Sequence, residues 1–130
     1  MKQINLMDKY PVNVLEIDKE LTKFETIDEI LDYLKLQIDA HPVATYISIF
    51  DHYQHTTNLE GGVMASEIIS AKNIICCFGK QLPSPVLLSI KPRSIGVAEL
   101  ENKFVISFMD APNPEAHQTM LSWVESIKNK

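Results

Sequence analysis

A predicted β-hairpin at residues 93–109 constrains the fold more than any other segment, because its two sides differ so strongly. Two runs of strand-forming residues flank Glu101-Asn102, a pair that suits a two-residue hairpin turn. In that register Val97 lies opposite Ile106, and one side of the hairpin is strongly apolar. The other side consists of small residues, namely Gly96, Ala98, Val105 and Ser107. Small side chains there would let a helix, a ligand or another subunit approach closely.

Two amphipathic helices are predicted outside this hairpin. The first spans residues 27–40: Thr26 begins a capping box, apolar residues follow at helical spacing, and Pro42 ends the helix. The second begins at Pro114, directly after Asn113 as the N-cap. Its buried stripe is predicted to comprise Ala116, Met120, Trp123 or Val124, and Ile127.

The other segments give weaker signals. Further strands are predicted at residues 13–19, 43–50 and 74–78. We expect a loop at residues 51–62, which end in a glycine pair. Residues 63–72 fit either a short helix or a strand, and the helix is favoured because Asn73 would make a reasonable stop. Residues 86–90 fit a strand or a packed turn.

The order of these elements predicts the fold class. Consecutive strands with inserted helices are typical of an α+β fold with a mixed or mainly antiparallel sheet of five to six strands. Two to three helices would pack on that sheet. The 130 residues suit a single domain, residues 1–130.

Composition and charge exclude several classes of protein. Hydrophobic residues make up 45% and charged residues 22% of the chain, as in soluble globular proteins. A net charge of −5 argues against a general nucleic-acid binder. The longest apolar run, residues 74–78, is too short to span a membrane, and the N-terminus has no secretory signal of the usual form. We therefore expect a soluble, cytoplasmic protein without nucleic-acid or membrane partners.

The two cysteines, Cys76 and Cys77, are adjacent within that apolar run. Neighbouring side chains of a strand point to opposite faces, so a disulfide between them is not expected. Two thiols in a buried strand fit a reducing compartment. A catalytic thiol needs exposure and a lowered pKa, so we interpret both as inert core cysteines.

The segment richest in chemistry is Asp51–His55. His52 and His55 are three residues apart, and on a helical turn both imidazoles could bind one divalent metal ion. On an extended strand Asp51, Tyr53 and His55 would share a face instead. Alternatives are a loop with ordinary hydrogen bonds, or acid–base and ligand contacts by histidine. A metal would need further ligands, for which the candidates are Asp51, Glu60, His41 and His117.

Arg93 lies in a second candidate segment, Lys91-Pro92-Arg93-Ser94. Its guanidinium could bind a phosphate or carboxylate in a bidentate manner. Alternatively, it pairs with an acidic residue of the first helix. A pocket between Arg93 and residues 51–57 would require the two segments to meet in space.

No complete catalytic motif is found, which leaves open whether the chain is an enzyme. Our first hypothesis is a non-enzymatic ligand- or partner-binding module. We expect a homodimer, because an unpaired apolar edge and the small side of the hairpin favour self-association. The alternative is a metal-binding protein or metal-dependent enzyme that uses His52 and His55. The candidate ligand-binding residues are Asp51, His52, Tyr53, His55 and Arg93.

Overall fold

An antiparallel sheet of six strands forms the centre of the computed structural model, which describes residues 1–129. In chain order the strands and helices are β1 (Lys2–Leu6), β2 (Tyr10–Asp18), α1 (Ile27–Ala40), β3 (Ala44–Asp51), α2 (His52–Asn58), β4 (Ser70–Phe78), β5 (Arg93–Glu99), β6 (Lys103–Met109) and α3 (Pro114–Glu125). Across the sheet the order is β1-β2-β6-β5-β4-β3. The predicted α+β fold is confirmed, and the sheet is antiparallel throughout.

The hairpin of β5 and β6 has the predicted register. Val97 pairs with Ile106, and Gly96 pairs with Ser107. The amide of Leu100 donates to the carbonyl of Lys103 (2.9 Å), which closes the two-residue turn. Because this hairpin lies in the middle of the sheet, its two sides determine the character of both sheet faces.

Helices α1 and α3 pack on one face of the sheet, which we call the helix side. Both begin as predicted: Thr26 Oγ1 accepts a hydrogen bond from the amide of Glu29 (3.2 Å), and Asn113 Oδ1 accepts from Glu115 (2.9 Å). Large side chains fill this side, and burial of each stabilises the fold by about 1.5–3 kcal/mol. The largest fully buried ones include Phe104, Ile30, Leu31, Leu34, Ile38, Ile74, Ile95, Ile106, Met120 and Ile127.

The opposite face carries the alternate residues of the strands and is covered by neither α1 nor α3, so we call it the helix-free face. Its centre is made of small or polar side chains, and larger apolar ones lie towards β1. The short helix α2 borders this face at Phe50, whose ring contacts His52 and His55. The members of the face by register include Lys2, Ile4, Leu6, Val12, Val14, Glu16, Phe50, Asn73, Ile75, Cys77, Ser94, Gly96, Ala98, Val105, Ser107 and Met109. The predicted small side of the hairpin therefore lies on the sheet face that has no helix layer.

Strand β1 was missed in the sequence because its residues are mostly polar and exposed. It pairs with β2 through a turn in which Met7 and Asp8 have positive φ angles of 56° and 57°. Asparagine, aspartate and glycine usually occupy such positions, so the methionine concealed the turn. The strand predicted at residues 13–19 is therefore longer than expected at its N-terminal end: β2 begins at Tyr10, where it pairs with β1, and ends at Asp18.

Three other expectations need correction. The predicted loop at residues 51–62 contains α2, because the Asp51 carboxylate accepts a hydrogen bond from the amide of Gln54 (2.9 Å) and begins a helix. The helix favoured at residues 63–72 is wrong, since this stretch is irregular until β4 begins at Ser70. Residues 86–90 form neither a strand nor a simple turn: Pro85–Ser89 is a 3₁₀ helix. Within residues 1–129, no helix has the length and apolarity needed to cross a bilayer.

Candidate functional site

The two histidines of α2 lie on one side of the helix, as the helical interpretation predicts. The ring centroids of His52 and His55 are 6.0 Å apart, and each lies 5.3 Å from the ring of Phe50. Both imidazoles are exposed, whereas Tyr53 is half-buried. Asp51 is engaged as the helix cap. The pair is thus an exposed cluster at the end of β3.

A third metal ligand does not join this pair. Among residues 1–129, no group of three or more His, Cys, Asp or Glu side chains could hold a metal ion. Two of the candidate ligands are engaged elsewhere: His41 packs against Trp123 with centroids 5.9 Å apart, and His117 Nδ1 accepts from the amide of Ala111 (3.2 Å). Zinc sites need three or four protein ligands. Metal binding by His52 and His55 stays a prediction.

Arg93 does not meet the Asp51–His55 segment. Arg93 pairs with Cys76 of β4, whereas Asp51 pairs with Lys72. These two positions of β4 are four residues, or about 13 Å, apart along the strand. The cavity that Arg93 lines on the helix side includes none of residues 51–57, so the expected pocket between the two segments is not formed.

The guanidinium of Arg93 binds backbone carbonyls instead of an acid of α1. Its Nη2 donates to the carbonyls of Met109 (2.7 Å) and Asp110 (3.0 Å), and Nη1 donates to that of Ile90 (3.4 Å). The Nε atom is buried without a hydrogen-bond partner in the described part of the chain. The predicted alternative, an ion pair with α1, is wrong for this residue.

The positive charge of Arg93 is therefore held in place but not neutralised. In residues 1–129, no carboxylate forms an ion pair with it. The carboxylate of Asp110 binds Asn13 (2.7 Å) and Gln3 (3.0 Å). Burial lowers the pKa of the Arg93 guanidinium, which reflects its removal from water.

A cavity of about 270 Å³ lies next to this guanidinium, between the end of the sheet and the start of α3. Sequence reasoning missed most of it. His41 was considered only as a metal ligand, and Phe78 and Thr119 were not singled out at all. The lining residues come from distant parts of the chain, so no local pattern could have shown that they meet.

The adjacent cysteines point to opposite faces, as predicted. Cys76 is fully buried on the helix side, and Cys77 is half-buried on the helix-free face. Burial, with a smaller contribution from Cys77, raises the pKa of Cys76 to about 11. This agrees with the interpretation of Cys76 as an inert core residue.

A model of a protein family of unknown function, DUF6858, matches residues 1–129. The chain belongs to this family. No curated protein and no solved structure matches the chain. Membership in DUF6858 assigns no activity, so any function has to be argued from the residues themselves.

Proposed function

We propose that this member of the DUF6858 family is a non-enzymatic binding module that works as a homodimer, in which two helix-free faces pack against each other. The observation that carries the proposal is the exposure of apolar side chains on this face. Leu6, Met109 and Ile4 are 48%, 47% and 39% exposed, respectively. Contiguous apolar surface of this kind is typical of interaction sites.

The helix-free face has a shape that can complement itself. A depression of about 390 Å³ lies over Asn73, Gly96 and Ser107, because these side chains are short. Leu6 and Met109 stand at its border. In a twofold dimer the same patch serves both subunits, so the border residues of one copy can enter the depression of the other.

The size of the face also suits a second copy. Six strands about 4.8 Å apart, each about seven residues long at about 3.3 Å per residue, cover about 650 Å². A stable complex buries about 800 Å² on each partner. Projecting side chains, and the exposed Met7 in the neighbouring turn, add accessible area to this flat value.

Pairing through a sheet edge is the competing arrangement, which the expected unpaired apolar edge would favour. The hairpin of β5 and β6 is central, and the edges are β1 and β3. Strand β3 exposes Ile47 and Ile49, but its register shifts between Tyr46 and Ser48. Such a bulge interrupts the ladder that a second strand would need. We therefore favour the face over the edge.

The metal-dependent alternative has less support. It depends on His52 and His55, which lie close together but bring no third ligand from the described residues. A catalytic zinc takes three protein ligands.

Size-exclusion chromatography with light scattering tests the dimer. We expect the wild type to elute with twice the mass of the chain. Ser107→Lys places a charge at the centre of the helix-free face and should give a monomer. The matched control Ser122→Lys, on the exposed side of α3, should stay dimeric. Circular dichroism checks that both variants are folded. A wild type that is monomeric at every concentration, or equal behaviour of the two variants, would contradict the proposal.

A further inference from the structure

The cavity beside Arg93 has apolar walls and a charged side. It lies on the helix side of the sheet, where β4 ends and β5 and α3 begin. Val43, Phe78, Ile90 and Ala116 contribute apolar surface, and Arg93 and Lys91 contribute positive charge. A few polar groups in an otherwise apolar concavity are typical of small-molecule sites.

Both cations are positioned by neutral groups. Arg93 binds three carbonyl oxygens, and Lys91 Nζ donates to the carbonyl of Gln81 (3.1 Å). Carbonyls satisfy hydrogen bonds without cancelling charge. Each cation also keeps donors that bind none of the residues described: the buried Nε–H and one N–H of Nη1 on Arg93, and two N–H of Nζ on Lys91. An anion in the cavity would meet two cations that are already oriented.

Carboxylates near the cavity limit the negative charge that it can accept. Of the described residues that line the cavity, one is acidic, the exposed Glu115. The carboxylate of Asp110 binds Asn13 and Gln3 but also acts on the charge of Arg93. Because two cations lie near two carboxylates, a monoanion is favoured over a dianion.

The start of α3 adds to this preference without supplying hydrogen bonds. Asn113 Oδ1 already accepts from the amides of Glu115 and Ala116. The positive end of the helix dipole still points at the cavity wall that Asn113 forms. Binding of an anion would therefore depend on Arg93 and Lys91.

We propose that this cavity binds a small organic carboxylate with an apolar body. Its volume of about 270 Å³ is just below the lower limit of about 300 Å³ for ligand pockets, which indicates a compact molecule. The carboxylate lies at Arg93 and Lys91, and the body lies against Phe78 and Val43. The walls of this site, Phe78 and Ala116, lie on the opposite side of the sheet from the proposed dimer face, although Arg93 also borders the depression of that face.

Chemical-shift titration of the full-length, ¹⁵N-labelled protein tests the ligand class. The probes are isovalerate, benzoate and phenylacetate, the neutral amide of each, and inorganic phosphate. We expect at least one acid to shift the amide resonances of Lys91, Arg93 and the non-proline residues of 111–119 saturably. Its amide should bind at least about tenfold more weakly, because hydrogen bonds to a charged group are worth about 1.5–3 kcal/mol.

Two variants locate the site without removing Arg93, whose loss would free three carbonyls. Lys91→Gln should weaken binding of that acid about tenfold. Thr119→Phe should abolish it by filling the cavity, and Lys128→Gln, beside Asp18 and Lys103 at the opposite end of the sheet, should change nothing. The proposal is overturned if none of the three acids binds, if an amide binds as well as its acid, if phosphate binds more tightly, or if Lys91→Gln behaves like Lys128→Gln.

Discussion

The two faces of the sheet are built from the same six strands but differ in the size and burial of their side chains. On the helix side, alternate positions carry Ile95, Val97 and Phe104, which are at most 2% exposed. On the helix-free face their neighbours are Gly96, Ala98 and Val105, which are half-buried. A strand directs successive side chains to opposite faces, so one stretch of sequence can specify a core and a binding surface together. The comparison shows that the largest buried side chains lie on the helix side, while the second face carries the small and exposed side chains on which our proposed dimer rests.

The largest difference between the faces should appear in the free energy of unfolding. Phe104→Ala empties a fully buried position of β6 and should cost about 3–5 kcal/mol. The control Val105→Ala, next in the chain but on the helix-free face, should cost less than about 1.5 kcal/mol, since its side chain is only partly buried. Urea unfolding followed by circular dichroism gives both values. Equal losses would contradict the division of roles between the faces.

We expect a smaller difference in the free energy of unfolding between variants that lack a helix cap. Thr26→Ala removes the cap of α1, which buries five side chains, and should cost about 1 kcal/mol. Asp51→Ala removes the cap of α2, which has no buried residues. We therefore expect α2 to fray locally and the free energy of global unfolding to change less than in Thr26→Ala. The same unfolding experiment separates the two variants. A larger loss for Asp51→Ala would assign α2 a structural role that its exposure does not suggest.

The sequence predicts those parts of the fold that depend on interactions between residues close together in the chain. The hairpin turn at Glu101-Asn102 and the caps at Thr26 and Asn113 depend on residues within four positions of one another, and all three were predicted correctly. Strand β1 was missed because Met7 occupies a positive-φ position without a glycine. Helix α2 was missed because Asp51, which caps the helix, lies in a polar stretch that was interpreted as a loop.

The candidate site was predicted only in fragments. Arg93 was singled out as an anion-binding residue, but the structure places it about 13 Å along the strand from the row of Asp51. Its cavity joins His41, Phe78 and Thr119, which are separated by up to 78 positions in the sequence. Contacts of that range depend on strand order, which a single sequence does not reveal.

The two cysteines provide a chemical comparison of the faces. At pH 8 we expect iodoacetamide to leave Cys76 intact in the native protein and to modify Cys77 in the monomeric Ser107→Lys variant, because the proposed dimer covers the face that carries Cys77. With a pKa of about 11, Cys76 is almost entirely a protonated thiol at pH 8, and its reactivity should rise only as the pH approaches that value. Mass spectrometry of peptides labelled with and without denaturant provides the measurement. Native modification of Cys76 would contradict its burial.

The smallest effect is expected at α2. The double variant His52→Ala/His55→Ala should change the free energy of unfolding by less than about 0.5 kcal/mol, because both side chains are exposed. Elemental analysis of untagged wild type should show no stoichiometric zinc, iron or nickel. A near-stoichiometric metal that the double variant loses would instead establish the metal-binding alternative.

Small-angle scattering tests most directly whether the helix-free faces meet. A monomer of 130 residues has a radius of gyration of about 14 Å. With sheets about 10 Å apart and a helix layer about 10 Å behind each, the subunit centres lie about 20 Å apart and the dimer has a radius of gyration of about 17 Å. Joining two sheets edge to edge separates the centres by about 29 Å and gives about 20 Å. We predict the value near 17 Å, and either of the other two would contradict a dimer built on this face.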